Sequence, residues 1–287
     1  MAIFYKNRKK FPTSRIFIWL FIAVLAVFAM LPLVYMISTA FKPLDELFLF
    51  PPRFFVQRPT LQSFIDLLTS LSASSVPFSR FLFNSVMVVS IVVAGTTTIC
   101  SMGAYALVKL NVPFKKPIFS LILAALMFSP HVTQIPNYLI VNGLGMVNTY
   151  WAVIIPKLAV PMSFFLMKQF TEQLPTELLE AGRIDGASEW RTFWKIAMPA
   201  LKPAWITLIV MSFVANWNDF FSPLIFISKQ SMKPLSLAIQ SIAGGAGVVA
   251  RSGAVAASVV VITLPTIIVF LIMQSKVMET MAHSGIK

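Results

Sequence analysis

The residues in this chain whose types and spacing could do chemistry are a few carboxylates in unusual places. Glu177 lies just before, and Glu180 and Asp185 within, the polar, small-residue run Glu180-Ala181-Gly182-Arg183-Ile184-Asp185-Gly186-Ala187-Ser188, which sits between long apolar segments. Asp219 stands in Asn216-Trp217-Asn218-Asp219, late in another apolar segment, and is the one carboxylate inside such a segment. Counting from Ala204 puts it ~22 Å along a helix. A carboxylate at that depth is costly unless it faces a bundle interior or a water-filled cavity. Asn216 and Asp219 therefore border a translocation path, where they can hydrogen-bond hydroxyls, or form a structural polar cap; both readings stand. Bond-making chemistry has less to work with. The chain has 2 His and 1 Cys, and no His, Cys or carboxylate cluster at metal-ligand spacing. His131, alone, fits hydrogen-bonded structure, and Cys100, inside an apolar run, fits a small core hydrophobe. A G-x-x-x-x-G-K-[ST] phosphate loop is missing, as is a Ser/His/Asp or Cys/His constellation. These residues make contacts; they are not a catalytic set.

The 180–188 run carries the punctuation of two short helices. Thr176, after Pro175, is placed to cap the first, with Glu177 and Glu180 favouring its positive end. That helix is predicted from about Glu177 to Asp185, ending at Gly186, because glycine accepts the left-handed conformation that terminates helices. Ser188 then caps a second helix with Trp190, Phe193, Trp194 and Ala197 on one apolar face, ending at Pro199. Ala181, Gly182 and Asp185 lie near one another on a shallow face that another protein could approach closely. The plainer alternative is an amphipathic helix lying on the membrane surface.

The spacing of this run resembles the EAA loop of ABC importer permeases: Glu-Ala-Gly, three residues, Gly186, nine residues, Ile196, one residue, then Met198-Pro199 in place of Leu-Pro. Gly182 and Met198 are mild departures from that pattern. Ile184-Asp185-Gly186-Ala187-Ser188 and Trp217-Asn218-Asp219-Phe220 are similar to the carbohydrate-uptake branch, specifically its maltose-type second permease, and the resemblance runs from Phe83 onward. Phe83-Asn84-Ser85 resembles a recurrent permease signature, with a plain membrane-interface reading beside it. The resemblance implies a coupling helix docked on a cytoplasmic ATPase, with Glu180, Ala181, Gly182, Asp185 and Gly186 at the contact. It implies a complex with a second, related permease, two ATPase subunits that bind ATP and Mg, and an external substrate-binding protein delivering a carbohydrate. This chain itself would hold no cofactor and catalyse nothing. In such families the partner permease often holds most substrate contacts. The Gly-containing loop Ser228–Gly253 is similar to a flexible loop that reaches into the binding protein; a mobile connector is the alternative.

The elements that must position these residues are membrane spans. The chain of 287 residues is 57% hydrophobic and 11% charged, against about 25% charged in soluble domains. Six runs approach the roughly 20 residues a bilayer requires: Ile16–Ala40, Phe81–Val108, Pro117–Val141, Trp151–Lys168, Ala204–Ile227 and Ala254–Gln274. Lys157 interrupts the fourth and is expected to snorkel to the headgroups. Placing the N-terminus inside puts 15 of the 23 Lys and Arg residues on the inner side, the bias that sets membrane orientation. The expected layout is an all-α, six-helix integral membrane protein: a cytoplasmic segment 1–15, a permease domain 16–275 with the coupling loop at about 171–199 between helices 4 and 5, and a cytoplasmic tail 276–287. The first apolar run is too long for a cleaved signal and is expected to be retained. Phe41–Arg80, rich in Pro, is expected as an extended external loop with a short helix around Gln62–Leu71. Gly103-Ala104-Tyr105-Ala106 offers a small-residue face for close helix packing. The formal net charge of +13 is not a nucleic-acid signature, because the basic residues cluster beside apolar spans. Alternatives are an ABC permease for a non-sugar solute, an ion-coupled secondary transporter, for which a lone Asp219 is thin support, and a membrane scaffold.

Overall fold

The computed structural model describes the backbone of residues 13–72, 76–244 and 251–284, and the side chains of 17–71, 76–244 and 251–274. Most of the expected N-terminal segment, the end of the tail, and 245–250 lie outside these residues. Every regular element among the described residues is helical. In order they are α1 (Thr13–Ala40), α2 (Leu44–Leu47), α3 (Gln62–Ser72), α4 (Phe78–Lys109), α5 (Lys115–Leu126), α6 (Pro130–Gly143), α7 (Tyr150–Ile154), a 3₁₀ turn (Ile155–Lys157), α8 (Pro161–Glu172), α9 (Thr176–Ile184), α10 (Glu189–Thr192), a π turn (Phe193–Ala197), α11 (Met198–Ala200), α12 (Lys202–Trp217), α13 (Phe221–Phe226), a 3₁₀ turn (Gln230–Met232), α14 (Leu235–Ala243) and α15 (Ser252–Ser284).

Four stretches are long and apolar enough to cross a bilayer: Phe17–Ala40, Phe78–Lys109, Tyr150–Glu172 and Ser252–Gln274. Two bent pairs raise the possible spans to 6. The predicted third span, Pro117–Val141, is one of them: α5 and α6 meet at 109°. Pro130 explains the break. It forces the preceding Ser129 into an extended conformation (φ −64°, ψ 138°), so a helix must stop and restart there. The other pair, Glu189–Ala200 and Lys202–Trp217, bends by 78°. The predicted fifth span, Ala204–Ile227, is also interrupted, between α12 and α13.

The described parts of Met1–Leu67 and Val249–Val260 form one compact unit. In it, the first part of the expected Phe41–Arg80 loop, residues 41–67, is less extended than expected: α2 adds a turn, and the buried Glu46 carboxylate accepts from the Gln57 and Arg58 backbone N–H groups. The second unit, Leu68–Val248 with Val261–Lys287, is built on α4. Three buried clusters string along this helix. Val88 and Val92 pack with Val141, Val153 and Phe226; Cys100 and Ala104 with Met167, Ala204 and Leu208; Tyr105 with Leu174, Leu179, Phe193 and Ala197. The small-residue face at Gly103 works as predicted, since a Cβ there would stand 2.9 Å from the Phe164 ring. Ser228–Gly253 is not a loop throughout. Residues 235–243 form α14, with Leu235, Leu237, Ala238, Ile239 and Ile242 buried.

Candidate functional site

Two groups of residues emerge. The first is the α9–α11 segment. α9 ends as a Schellman motif: the Gly186 N–H donates to the Arg183 carbonyl (3.0 Å) and the Ala187 N–H to the Gly182 carbonyl (2.9 Å), with Gly186 at φ +78°. Ser188 caps α10 by accepting from the Arg191 N–H at 3.4 Å, as expected. Thr176, by contrast, does not cap α9. It is the first helical residue, because Pro175 in extended conformation occupies the cap position and offers no side-chain acceptor.

The five predicted contact residues do not share one face. Glu180, Ala181, Asp185 and Gly186 are exposed, whereas Gly182 is buried. Gly182 faces its own chain: a Cβ there would lie 2.2 Å from Ile196 Cδ1. The departure from Glu-Ala-Ala is thus met by Ile196 filling the space of the missing methyl. The outer face also carries two apolar residues that the sequence reading did not single out as contacts, Ile184 (86% exposed) and Trp190 (61% exposed). Neither is buried, although the Trp190 ring rests against Phe193 at 6.4 Å between centroids, and exposed large apolar side chains beside carboxylates are how docking surfaces look. The expected apolar face of the second helix is split. Phe193 and Ala197 are buried in the cluster around Tyr105, while Trp190 and Trp194 stay exposed, because the π turn breaks the 3.6-residue register between them.

This segment is tied to the end of α4. The Tyr105 hydroxyl donates to Glu189 Oε2 (3.2 Å), and Arg183 Nε donates to Glu189 Oε1 (2.8 Å). The hydrogen bond to Glu189 raises the Arg183 guanidinium above its ordinary range, so it stays charged. Lys109 Nζ donates to the Leu174 carbonyl at 2.5 Å.

The second group surrounds Asp219. Its Oδ1 accepts from the Phe221 and Ser222 N–H groups (3.0 and 3.2 Å), capping the start of α13, and its Oδ2 pairs with Lys157 Nζ. The expectation that Lys157 snorkels is therefore wrong: its side chain is only 19% exposed and holds the carboxylate. A charge pair across elements satisfies both groups more cheaply than either could be satisfied alone at that depth. Asn216 does not join them. Its Nδ2 turns back to the Ser212 carbonyl (2.7 Å) and hydroxyl (3.3 Å) of its own helix. A cavity of about 190 Å³ next to the pair is lined by Thr133, Gln134, Asn137, Lys157 and Ser222 among apolar neighbours. His131 sits edge-on to Phe221, 6.2 Å between ring centroids. Asn84, half-expected at an interface, is fully buried: it donates to the Ser231 and Lys233 carbonyls (2.9 and 3.0 Å) and accepts from the Tyr150 hydroxyl (2.9 Å). Among the described residues no group of three or more His, Cys, Asp or Glu could hold a metal ion.

Membrane-length helices, a partly polar cavity between α6, α7 and α13, and a short helix closed by a Schellman motif are features of an integral membrane protein with a displayed contact segment. The chain belongs to the family described as binding-protein-dependent transport system inner membrane component, whose profile matches residues 1–277. It is 33% identical to the sn-glycerol-3-phosphate transport system permease protein UgpE of Yersinia enterocolitica, over 70% of this chain and 72% of that one. It is 30% identical to the protein LplC of Bacillus subtilis, over 93% and 92% of the two chains. A putative ABC transporter permease protein of Caldicellulosiruptor is 31% identical over 94% and 96%. Among solved structures, a bacterial ABC transporter involved in the import of the acidic polysaccharide alginate shares the fold, with a TM-score of 0.79 at 21% identity over 93% of this chain and 98% of that one.

Proposed function

We propose that this chain is a non-catalytic transmembrane subunit of an ATP-driven importer, forming half of the translocation pathway for a carbohydrate and coupled to a cytoplasmic ATPase through Glu180–Gly186. The observation that carries the coupling role is the Schellman-capped α9, which holds Glu180, Ala181, Asp185 and Gly186 outward beside the exposed Ile184. A rigid, capped helix transmits displacement, whereas a loose loop absorbs it. The expected partners are a second permease, two ATPase subunits carrying the ATP and Mg, and an external binding protein, with both chain termini and α9 on the cytoplasmic side.

The carbohydrate assignment draws on the Ile184–Ser188 and Trp217–Phe220 runs and on the alginate importer of like fold. We place the path beside the cavity of Thr133, Gln134 and Asn137, whose neutral hydrogen-bonding groups suit hydroxyls. In this reading Asp219 acts by holding Lys157 in place, and Asn216 is structural. One observation favours a second reading, a non-sugar solute: the relative named for sn-glycerol-3-phosphate.

The test is purification of the tagged chain in mild detergent. A second permease and an ATPase with a phosphate loop should accompany it, and the ATPase should be lost when Ile184 and Asp185 are replaced by Lys. A chain that purifies alone and still transports overturns the reading and makes Asp219 the first residue to test for ion coupling. Competition of uptake by oligosaccharides against glycerol phosphate separates the two substrate readings.

A further inference from the structure

We infer that α4 is the helix that receives the stroke of α9, and that Tyr105 and Lys109 are the two positioning residues through which it does so; this rests on the coupling role proposed for α9. The chain connects α9 covalently to α8 on one side and, through α10 and α11, to α12 on the other. α4 is remote in sequence, yet it grips the α9 segment at both ends.

Tyr105 and Lys109 are four residues apart, so they lie on one face of the last turn of α4. Lys109 Nζ reaches the Leu174 carbonyl, two residues before α9 begins. The Tyr105 hydroxyl reaches Glu189, five residues after α9 ends, and the other oxygen of that carboxylate takes Arg183 of α9 itself. Entry and exit of the displayed helix are thus pinned to the same turn of α4. Beneath the polar contacts the Tyr105 ring packs on Phe193, 5.3 Å between centroids, and on Leu179 of α9 within one buried cluster. Beside the Tyr105–Glu189 contact the two elements separate around a cavity of about 160 Å³ that reaches Met102, Ala106 and Leu110. Contact between α4 and α10 is therefore concentrated at the Tyr105 joint and not spread along the helices.

The arrangement is hard to explain as stability alone. Arg183–Glu189 is an exposed pair, with side chains 37% and 48% accessible, and such pairs contribute little to folding. Their geometry instead makes Glu189 a knuckle between α9 and α4. From α4 a displacement enters the core directly, because this helix carries residues of each of the three buried clusters described above.

The experiment uses the complete complex of this chain with its partner permease and ATPases, with Mg·ATP and vanadate as the probe. Nitroxide labels are placed at Phe83→Cys on α4 and Leu139→Cys on α6, both exposed, with the buried Cys100 replaced by Ala. Nucleotide should shift the distance distribution in the parent. In Tyr105→Phe/Lys109→Met the ATPase should still co-purify, while the ratio of shifted to unshifted populations falls about fivefold or more, the low end of measured coupling effects. Glu189→Ala, whose half-exposed side chain does not endanger folding, should move the same way, and Lys109→Arg should restore the shift. If the parent shows no shift or retains no ATPase, the coupling role of α9 fails and this inference with it. If the parent shifts and the Tyr105/Lys109 and Glu189 variants shift equally, the coupling role stands and the path through α4 is wrong.

Discussion

Replacing Gly186 separates the shape of the α9 end from what docks on it. Gly186 sits at φ +78°, and a Cβ built there meets nothing within 4 Å, so the chain itself raises no steric objection to a side chain. The cost is backbone. A left-handed L-residue is disfavoured by about 1–2 kcal/mol, and a β-branched one is a genuine outlier there. Valine can escape by leaving the left-handed region, but this opens the Gly186-to-Arg183 and Ala187-to-Gly182 hydrogen bonds, each worth about 0.5–1.5 kcal/mol. The left-handed penalty alone shifts the helix end from closed to open by about 5–30-fold. Gly186→Val should therefore insert normally, show faster amide exchange at Ala187, lose the ATPase on purification and abolish uptake. Gly186→Asn, which tolerates the left-handed conformation, should keep slow exchange at Ala187. If it nevertheless loses the ATPase, a partner approaches Gly186 closely; if it keeps it, the conformation alone matters. Normal exchange and normal ATP-coupled uptake in Gly186→Val would refute the argument from φ and the coupling assignment together.

Further outcomes are expected elsewhere. Lys157→Met strands the Asp219 carboxylate, 19% exposed, and should destabilise by up to about 3 kcal/mol; adding Asp219→Asn should recover most of that in a thermal melt in detergent, and a double variant no better than the single would refute the pairing. Asn84→Ala removes the clamp on Ser231 and Lys233 and frees the Tyr150 hydroxyl, so limited proteolysis should cut near 229–233 faster, with a loss of about 1–3 kcal/mol. Ser188→Ala removes a cap of long geometry, 3.4 Å, and should cost near the low end of the usual range, about 0.5 kcal/mol, read as faster exchange at Arg191. Ile184→Glu should leave the permease melting temperature unchanged, because this side chain touches no core, while weakening ATPase retention.

What could be read from the sequence was what local rules govern. Gly186 and Ser188 were legible because a helix end and a cap are decided within a few residues. The apolar runs marked the membrane helices, but not their breaks. Pro130 was visible, yet the 109° turn at α5–α6 depends on how the two halves pack. The pairing of Lys157 with Asp219 joins residues 62 apart, so local rules treat each alone, one as a snorkeller and the other as a candidate on the path. Small size and helical spacing group Gly182 with its outward neighbours, as does the resemblance. Its inward aim follows from Ile196, which is brought near only by the fold. Glu189 gave no signal, since an acidic residue after a helix cap is commonplace and its partner Tyr105 is 84 residues away.

The π turn at Phe193–Ala197 has a consequence for the length of this segment. Such a turn holds one residue more than an α-helical turn, and one residue is about 100° of rotation. The interval of nine residues between Gly186 and Ile196 therefore works as a gear count. Removing one residue from the π turn would close it to an α-helical turn and leave the side chains beyond pointing as before, whereas adding one, or removing two, would turn every side chain beyond it by about 100°. Ile196 would leave Gly182, Pro199 would face another way, and α12 would set off in a new direction. The segment should thus accept many substitutions, and a one-residue deletion within the π turn, while rejecting insertions and longer deletions, as befits a part whose task is to hold an angle.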